Sequence, residues 1–170
     1  MEARRRVRFS YNSLGTKMAE NRTYPPEFEQ AFRERFGTDV NLEDTVPPVF
    51  KDMMGELLDY DPVTRTLKGR FPVMTRYQNP YEVMQGGMIA AAMDNVLGPL
   101  SVLVAPANLT REITVKYKKP VSEEFAFIVV KAWVEKLELP YLWLAARAES
   151  EDGLLFARAE ARHFILEQEE

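Results

Sequence analysis

The stretch Asn79-Pro80-Tyr81-Glu82-Val83-Met84-Gln85-Gly86-Gly87-Met88-Ile89-Ala90-Ala91-Ala92-Met93-Asp94-Asn95-Val96-Leu97-Gly98-Pro99-Leu100-Ser101-Val102-Leu103-Val104 passes from a polar loop through paired glycines into an apolar segment. Between Met88 and Val104 the only polar side chains are Asp94, Asn95 and Ser101. A helix that is apolar on every side belongs inside a core. Seventeen residues broken by Asp, Asn and a Gly-Pro pair make a poor membrane span, so that core is the protein's own. The pattern predicts a carboxylate, Asp94, in the middle of a buried helix. A buried charge without partners is costly, so Asp94 needs either a function or a set of hydrogen bonds. Pro99 is predicted to kink or end the helix near Leu97.

The whole chain narrows the chemistry. Its 170 residues fit one domain with a sizeable core, 46% of them hydrophobic and 28% charged. A net charge of -4 argues against nucleic acid as a partner. There is no cysteine, hence no disulfide framework, thiolate metal site or cysteine nucleophile. His163 is the single histidine, which removes histidine-based triads and His-rich zinc sites. Carboxylates, hydroxyls, amides and the backbone are left, and no metal or cofactor is implied. Residues 1–24 read as a disordered basic tail, with four arginines against one acidic residue in Met1–Arg8 and no apolar run of a secretory signal. The expected location is cytoplasmic, with no membrane partner.

Residues 25–50 read as an N-terminal helix and a loop. Pro25-Pro26 precede phenylalanines at 28, 32 and 36, and Gly37 supplies the stop, while Asp39–Pro48 is polar and reads as loop. The hydrophobic period then changes. Glu56–Tyr60 and Thr66–Phe71 read as strands joined by an Asp61-Pro62 turn. Beyond Pro106, strands are predicted at Glu112–Lys118, Phe125–Val134, Tyr141–Ala148 and Leu154–Leu166, as three or four adjacent antiparallel hairpins. In the last strand Ala157, Ala159, Ala161, His163 and Ile165 alternate with charged residues, and small side chains let a sheet close round a helix. The fold class is α+β: a curved antiparallel sheet wrapped on a central helix over residues 51–167, with an N-terminal helical extension.

With these residues in view, the chain resembles the hotdog-fold acyl-CoA thioesterases of the phenylacetate-pathway and thioesterase-superfamily group. The resemblance rests on Asn79, the Gly86-Gly87 pair seven residues on, and Asp94 eight residues after Gly86, followed by strands of fitting length and order. It spans roughly residues 55–166. What it implies is hydrolysis of acyl-CoA thioesters to free acid and coenzyme A. Asp94 would act as general base or nucleophile, and the Gly86 amide at a helix N-terminus as oxyanion donor. Asn79 would be a polar contact in the loop, and Thr110 the hydroxyl that orients the water. Gln85 stands where the family often has histidine. It is a substrate-binding candidate together with Gly87, Lys116 and Lys118, the lysines facing coenzyme A phosphates or merely forming a solvated strand face.

Eight helical residues span about 12 Å, so Gly86 and Asp94 of one chain cannot both meet one carbonyl. The expected site is therefore shared across a homodimer, or a dimer of dimers, as the family resemblance also implies. Other readings stand beside these. Asp94 can be a structural carboxylate at an interface, Asn79 a turn residue before Pro80, and Thr110 an ordinary strand start. His163 reads as a satisfied core or interface residue. Trp133, Trp143 and Tyr141 read as core or interface aromatics that could also line an acyl tunnel. The alternative function is a hotdog module that binds acyl-CoA without hydrolysing it.

Overall fold

A computed structural model of the chain describes residues 24–166, so the tail expected at 1–24 lies almost wholly outside the described residues. The first element is helix α1 (Pro26–Phe36). Pro26 sits at its first position, acidic residues fill its first turn, arginines its last, and Gly37 follows with φ +88°. Each feature suits the end of the helix at which it stands. Phe28 and Phe32 are buried, whereas Phe36 is largely exposed and leans on Phe32 with ring centroids 4.8 Å apart. The segment expected to be loop instead holds two short helices, α2 (Leu42–Thr45) and α3 (Pro48–Asp52). Asn41 caps the first by accepting the Glu43 amide, and Pro48 opens the second. Prolines that suggested loop are helix starters here.

Strands β1 (Glu56–Asp61) and β2 (Thr66–Pro72) form the predicted hairpin. Its turn is closed by Asp61, whose carboxylate accepts from the Val63 and Thr64 amides and the Thr64 hydroxyl. After a single turn of 3₁₀ helix at Thr75–Tyr77 comes the central helix α4 (Gly86–Val104). It does not end near Leu97 but runs through Pro99. Pro99 has no N–H for the Asn95 carbonyl, a loss of about 3 kcal/mol in an isolated helix. Leu97, Leu100 and Ser101 are buried on either side of it, and packing on the sheet keeps the chain helical.

The remaining strands are β3 (Asn108–Tyr117), β4 (Phe127–Glu138), β5 (Tyr141–Glu149) and β6 (Leu155–Ile165). One six-stranded antiparallel sheet results, in the order β1-β2-β4-β5-β6-β3. The expected run of adjacent hairpins is thus corrected. β3 does not pair with β4 but crosses to the far edge beside β6, and β2 takes the place next to β4. The sheet curves round α4, which packs chiefly against β2, β4 and β5.

Ile89, Met93, Val96, Leu97 and Leu100 of α4 meet Leu67, Phe71, Ile128, Val130, Leu142 and Leu144 in one buried cluster. Ala146, Ala148, Ala157, Ala159 and Ala161 line the sheet there, each at most 4% exposed, which lets backbone and helix approach. Although α4 is long and apolar enough by composition to cross a membrane, its buried face is spent on this sheet.

Gly55, ahead of β1, has no room for a side chain. A Cβ there would lie 2.6 Å from Phe71 Cε1 and 2.7 Å from the Phe50 ring, and both rings are buried. Gly55→Ala is expected to lower stability by about 1–3 kcal/mol through overpacking. Urea unfolding beside the wild type measures it, and an unchanged midpoint would contradict the packing described.

Candidate active site

At the N-terminus of α4 the backbone is left with spare donors. The Gln85 carbonyl accepts from the amides of Met88 and Ile89, at 2.9 and 3.1 Å. The Gly86 and Gly87 amides have no hydrogen-bond partner among the described residues, and the positive end of the helix dipole lies with them. Tyr117, the last residue of β3, donates its hydroxyl to the Gly86 carbonyl at 2.7 Å. A Cβ at Gly86 would stand 3.0 Å from Tyr117 Cζ, so glycine permits this close approach. Met84, Gly86, Ile89, Tyr117, Lys118 and Lys119 line a cleft of 390 Å³ here.

Two helical turns further on is Asp94. In the single chain it is exposed, not buried as expected, because the sheet covers α4 on one side only. Thr110 Oγ1 lies 3.4 Å from Asp94 Oδ1. What brings Thr110 there is a β-bulge. On regular alternation Ile113, Val115 and Tyr117 face inward, and even-numbered residues outward. Thr110 pairs with His163 but Glu112 pairs with Arg162, so Arg111 is an extra residue in β3. That extra residue reverses the phase and turns Thr110 toward α4. Bulges often re-aim one side chain in this way.

Behind Thr110 stands a polar chain through the buried His163 to the half-buried Asn108. His163, 1% exposed, has Nε2 at 3.3 Å from Thr110 Oγ1 and Nδ1 at 2.8 Å from Asn108 Oδ1. The Asn108 side-chain amide in turn donates to the carbonyls of Pro106 at 2.7 Å and Ser101 at 3.3 Å. Burial holds the His163 pKa below its ordinary 6.5, with the Asp94 charge partly opposing this.

The other candidates are placed as follows. Asn79 shapes its own turn, its Oδ1 accepting the Tyr81 amide at 2.9 Å, while its Nδ2 has no partner among the described residues. Gln85 is exposed and its side chain does not cap α4. Gly87 is open, with no heavy atom within 4 Å of where a Cβ would be. Lys118 lines the cleft beside Gly86, but Lys116 does not: Tyr117 points to Gly86, so its neighbour in the strand points to the opposite face, across from Arg158. Tyr141, Trp143 and Phe164 cluster on that outer face too, with Arg162 over Tyr141 and Arg111 over Phe164. Trp133 alternates with buried Ala132 and lies outward as well, so no tunnel beside α4 is built from these aromatics.

Sequence reasoning missed three participants: Tyr117, Asn108 and the contact of His163 with Thr110. A lone histidine on an alanine-lined strand face was the available signal. Its partner depended on strand order and on the bulge.

No protein-family profile and no curated protein matches the sequence. Solved structures do match. A phenylacetic acid degradation-related protein from Ralstonia eutropha superposes with a TM-score of 0.66 at 21% identity, over 79% of this chain and 98% of that one. A thioesterase family protein from Silicibacter pomeroyi gives 0.66 at 17%, over 82% and 99%. A Streptococcus mutans protein bound to acetyl-CoA gives 0.61 at 13%, over 68% and 91%. This is a hotdog fold. The hotdog helix is α4, with Gly86 at its first position and Asp94 on the side the sheet leaves open.

The depressed His163 pKa makes stability depend on pH in a set direction. The unfolded chain takes up a proton near pH 6.5, while folded His163 resists it until lower pH. Its contribution is therefore complete above pH 6.5 and is lost as pH falls from there through the folded value. Asp61, held below its ordinary 3.8 by its turn hydrogen bonds, acts only at more acid pH. The urea midpoint is expected to drop between pH 7.5 and 5.5, and the drop to shrink in His163→Gln.

Proposed function

We propose that this chain hydrolyses acyl-CoA thioesters to the free acid and coenzyme A, at sites shared between two copies. The observation that carries the proposal is the contact of Asp94 with Thr110, on the open side of a helix whose first amides have no partner among the described residues. A carboxylate and a hydroxyl side by side hold a water. A helix N-terminus stabilises the oxyanion made when that water attacks a carbonyl. Together they match what acyl transfer to water requires, and the chemistry needs no histidine in contact with substrate.

Asp94 takes a proton as the water oxygen bonds to the acyl carbon. Negative charge then develops on the carbonyl oxygen, facing the Gly86 amide. The carbon–sulfur bond breaks, and the departing thiolate takes up the proton held by Asp94. The free Nδ2 of Asn79 is a second donor to the carbonyl, and Lys118 and Lys119 at the cleft suit the phosphates of coenzyme A. Met84 and Ile89 give the cleft apolar walls that suit an acyl group or the pantetheine arm.

Two copies are needed because Gly86 and Asp94 lie about 12 Å apart along one helix. Support comes from the open side of α4. Gly87, Ala91, Asp94 and Gly98 follow one another at helical spacing, and a Cβ at Gly87 or Gly98 would touch nothing among the described residues. Small residues there suit the close approach of a second α4 across a two-fold axis, which yields two equal sites. A dimer of dimers extends the same arrangement.

Thiol release from a panel of acyl-CoA esters tests the reaction. The chain's lack of cysteine leaves liberated coenzyme A as the only thiol. Asp94→Asn is expected to cut release about 100-fold or more. If wild type binds such esters but releases no thiol, the module binds acyl-CoA without hydrolysing it.

Sharing is tested with Gly86→Pro, which deletes the amide donor at the first helical position; its Cβ would stand 3.0 Å from Tyr117 Cζ, so that ring must shift, and urea unfolding of the variant checks that it still folds. Each variant alone is expected to be inactive. Refolded together in equal amounts, Asp94→Asn and Gly86→Pro chains are expected to recover about a quarter of the wild-type rate, since half the dimers then hold one intact site. No recovery would place each site within one chain.

A further inference from the structure

We infer that His163 is a positioning residue that fixes the direction of the Thr110 hydroxyl proton and so decides whether Asp94 is free to hold a water. The consequence for rate rests on the hydrolytic reading above; the proton assignment does not. Asn108 Nδ2 donates to two backbone carbonyls, those of Pro106 and Ser101. Rotating the amide would aim its oxygen at both of them, so the atom 2.8 Å from His163 Nδ1 is Oδ1, which can only accept. His163 therefore carries its proton on Nδ1. In the neutral ring Nε2 is then a bare lone pair, pointed at Thr110 Oγ1.

A threonine hydroxyl has one proton. It can go to Asp94 Oδ1 at 3.4 Å or to His163 Nε2 at 3.3 Å; exposed Asp94 can be met by water, whereas buried Nε2 has no other donor among the described residues, so the proton goes to His163. Thr110 then shows Asp94 only lone pairs. A water beside the two oxygens meets two acceptors, points one proton at the carboxylate and the other at Thr110, and keeps a lone pair for the acyl carbon. When His163 is protonated, both ring nitrogens donate. Nε2–H then bonds the Thr110 oxygen, the hydroxyl proton turns to Asp94, and that carboxylate oxygen is occupied instead of facing the water.

Of the charged groups on the neighbouring elements, only Asp94 reaches this equilibrium. Asp94 on α4 is the charge that reaches His163, and it favours the protonated ring. On β3, Arg111 lies over Phe164 and Glu112 pairs with Arg162 of β6, all on the outer face. β5 presents Leu142 opposite His163. Arg35 of α1, near the end of α4, is bonded to the Ala105 carbonyl. Burial of the ring opposes Asp94 and keeps it neutral at neutral pH.

The chain's single histidine makes the test direct. The untagged protein, labelled with ¹⁵N-histidine, is expected to show at pH 7.5 one ring in the Nδ1–H form, with Nε2 unprotonated. Its titration is expected to lie below 6.5, and lower still in Asp94→Asn. A ring in the Nε2–H form overturns the inference, whether or not any thioester is cleaved. With an active enzyme, the acid limb of kcat/KM is expected to follow this histidine titration and to move to lower pH in His163→Gln. An acid limb unmoved in that variant also overturns it, whereas a merely structural histidine would lower activity equally at all pH values. Should no ester be hydrolysed while the Nδ1–H form is observed, the hydrolytic reading fails and the proton assignment stands.

Discussion

Everything in this molecule hangs on the seating of α4 in the curve of the sheet. The helix offers Met93, Val96, Leu97 and Leu100 to one side, and the sheet answers with Leu and Val on β2, β4 and β5 and with alanines on β5 and β6. Burial of that apolar surface is the main driving force for the fold. Its strength shows in what it overrides, since a proline inside α4 fails to break the helix. The same seating decides which residues remain free: Asp94 and the small residues above and below it are on the side away from the sheet.

Because the sheet takes only one side of α4, the polar groups of interest sit at the boundary between core and solvent. Gly86 is held by Tyr117 at one end of β3, and Asp94 meets Thr110 at the other. β3 is therefore the strand that carries the candidate site, although its charged, alternating sequence marks it as an ordinary edge. One extra residue, Arg111, separates its two parts. Without that bulge Thr110 would share the outer face with Glu112 and Thr114. A local irregularity of one residue thus determines which hydroxyl faces the carboxylate.

The polar chain Asp94–Thr110–His163–Asn108 runs from open surface through buried His163 to half-buried Asn108. Buried polar groups are retained when each finds a partner, and this one ends on two backbone carbonyls near the end of α4. Orientation is thereby transmitted from fixed backbone to a mobile hydroxyl. A short run of side chains on two paired strands carries it, without any group needing to leave its rotamer.

Periodicity is a local property, and what it controls was legible in the residues: helices at α1 and α4, the six strands, the inward alanine face of β6, and the Asp61 turn. The joint spacing of Asn79, Gly86 and Asp94 likewise pointed to this fold, because one helix and the loop before it carry all three. Only the tertiary structure decided the rest. Strand order, which sends β3 to pair with β6, depends on closure of the sheet round α4 and not on any one strand's pattern. The bulge at Arg111 arises from the register of two strands about fifty residues apart, so alternation in β3 alone does not tell which way Thr110 faces. Asp94 read as buried because composition cannot tell how many sides of a helix the chain's own sheet will cover. His163 read as a bland core residue until pairing set Thr110 and Asn108 on either side of its ring, for hydrogen-bond partners are chosen by distance in space.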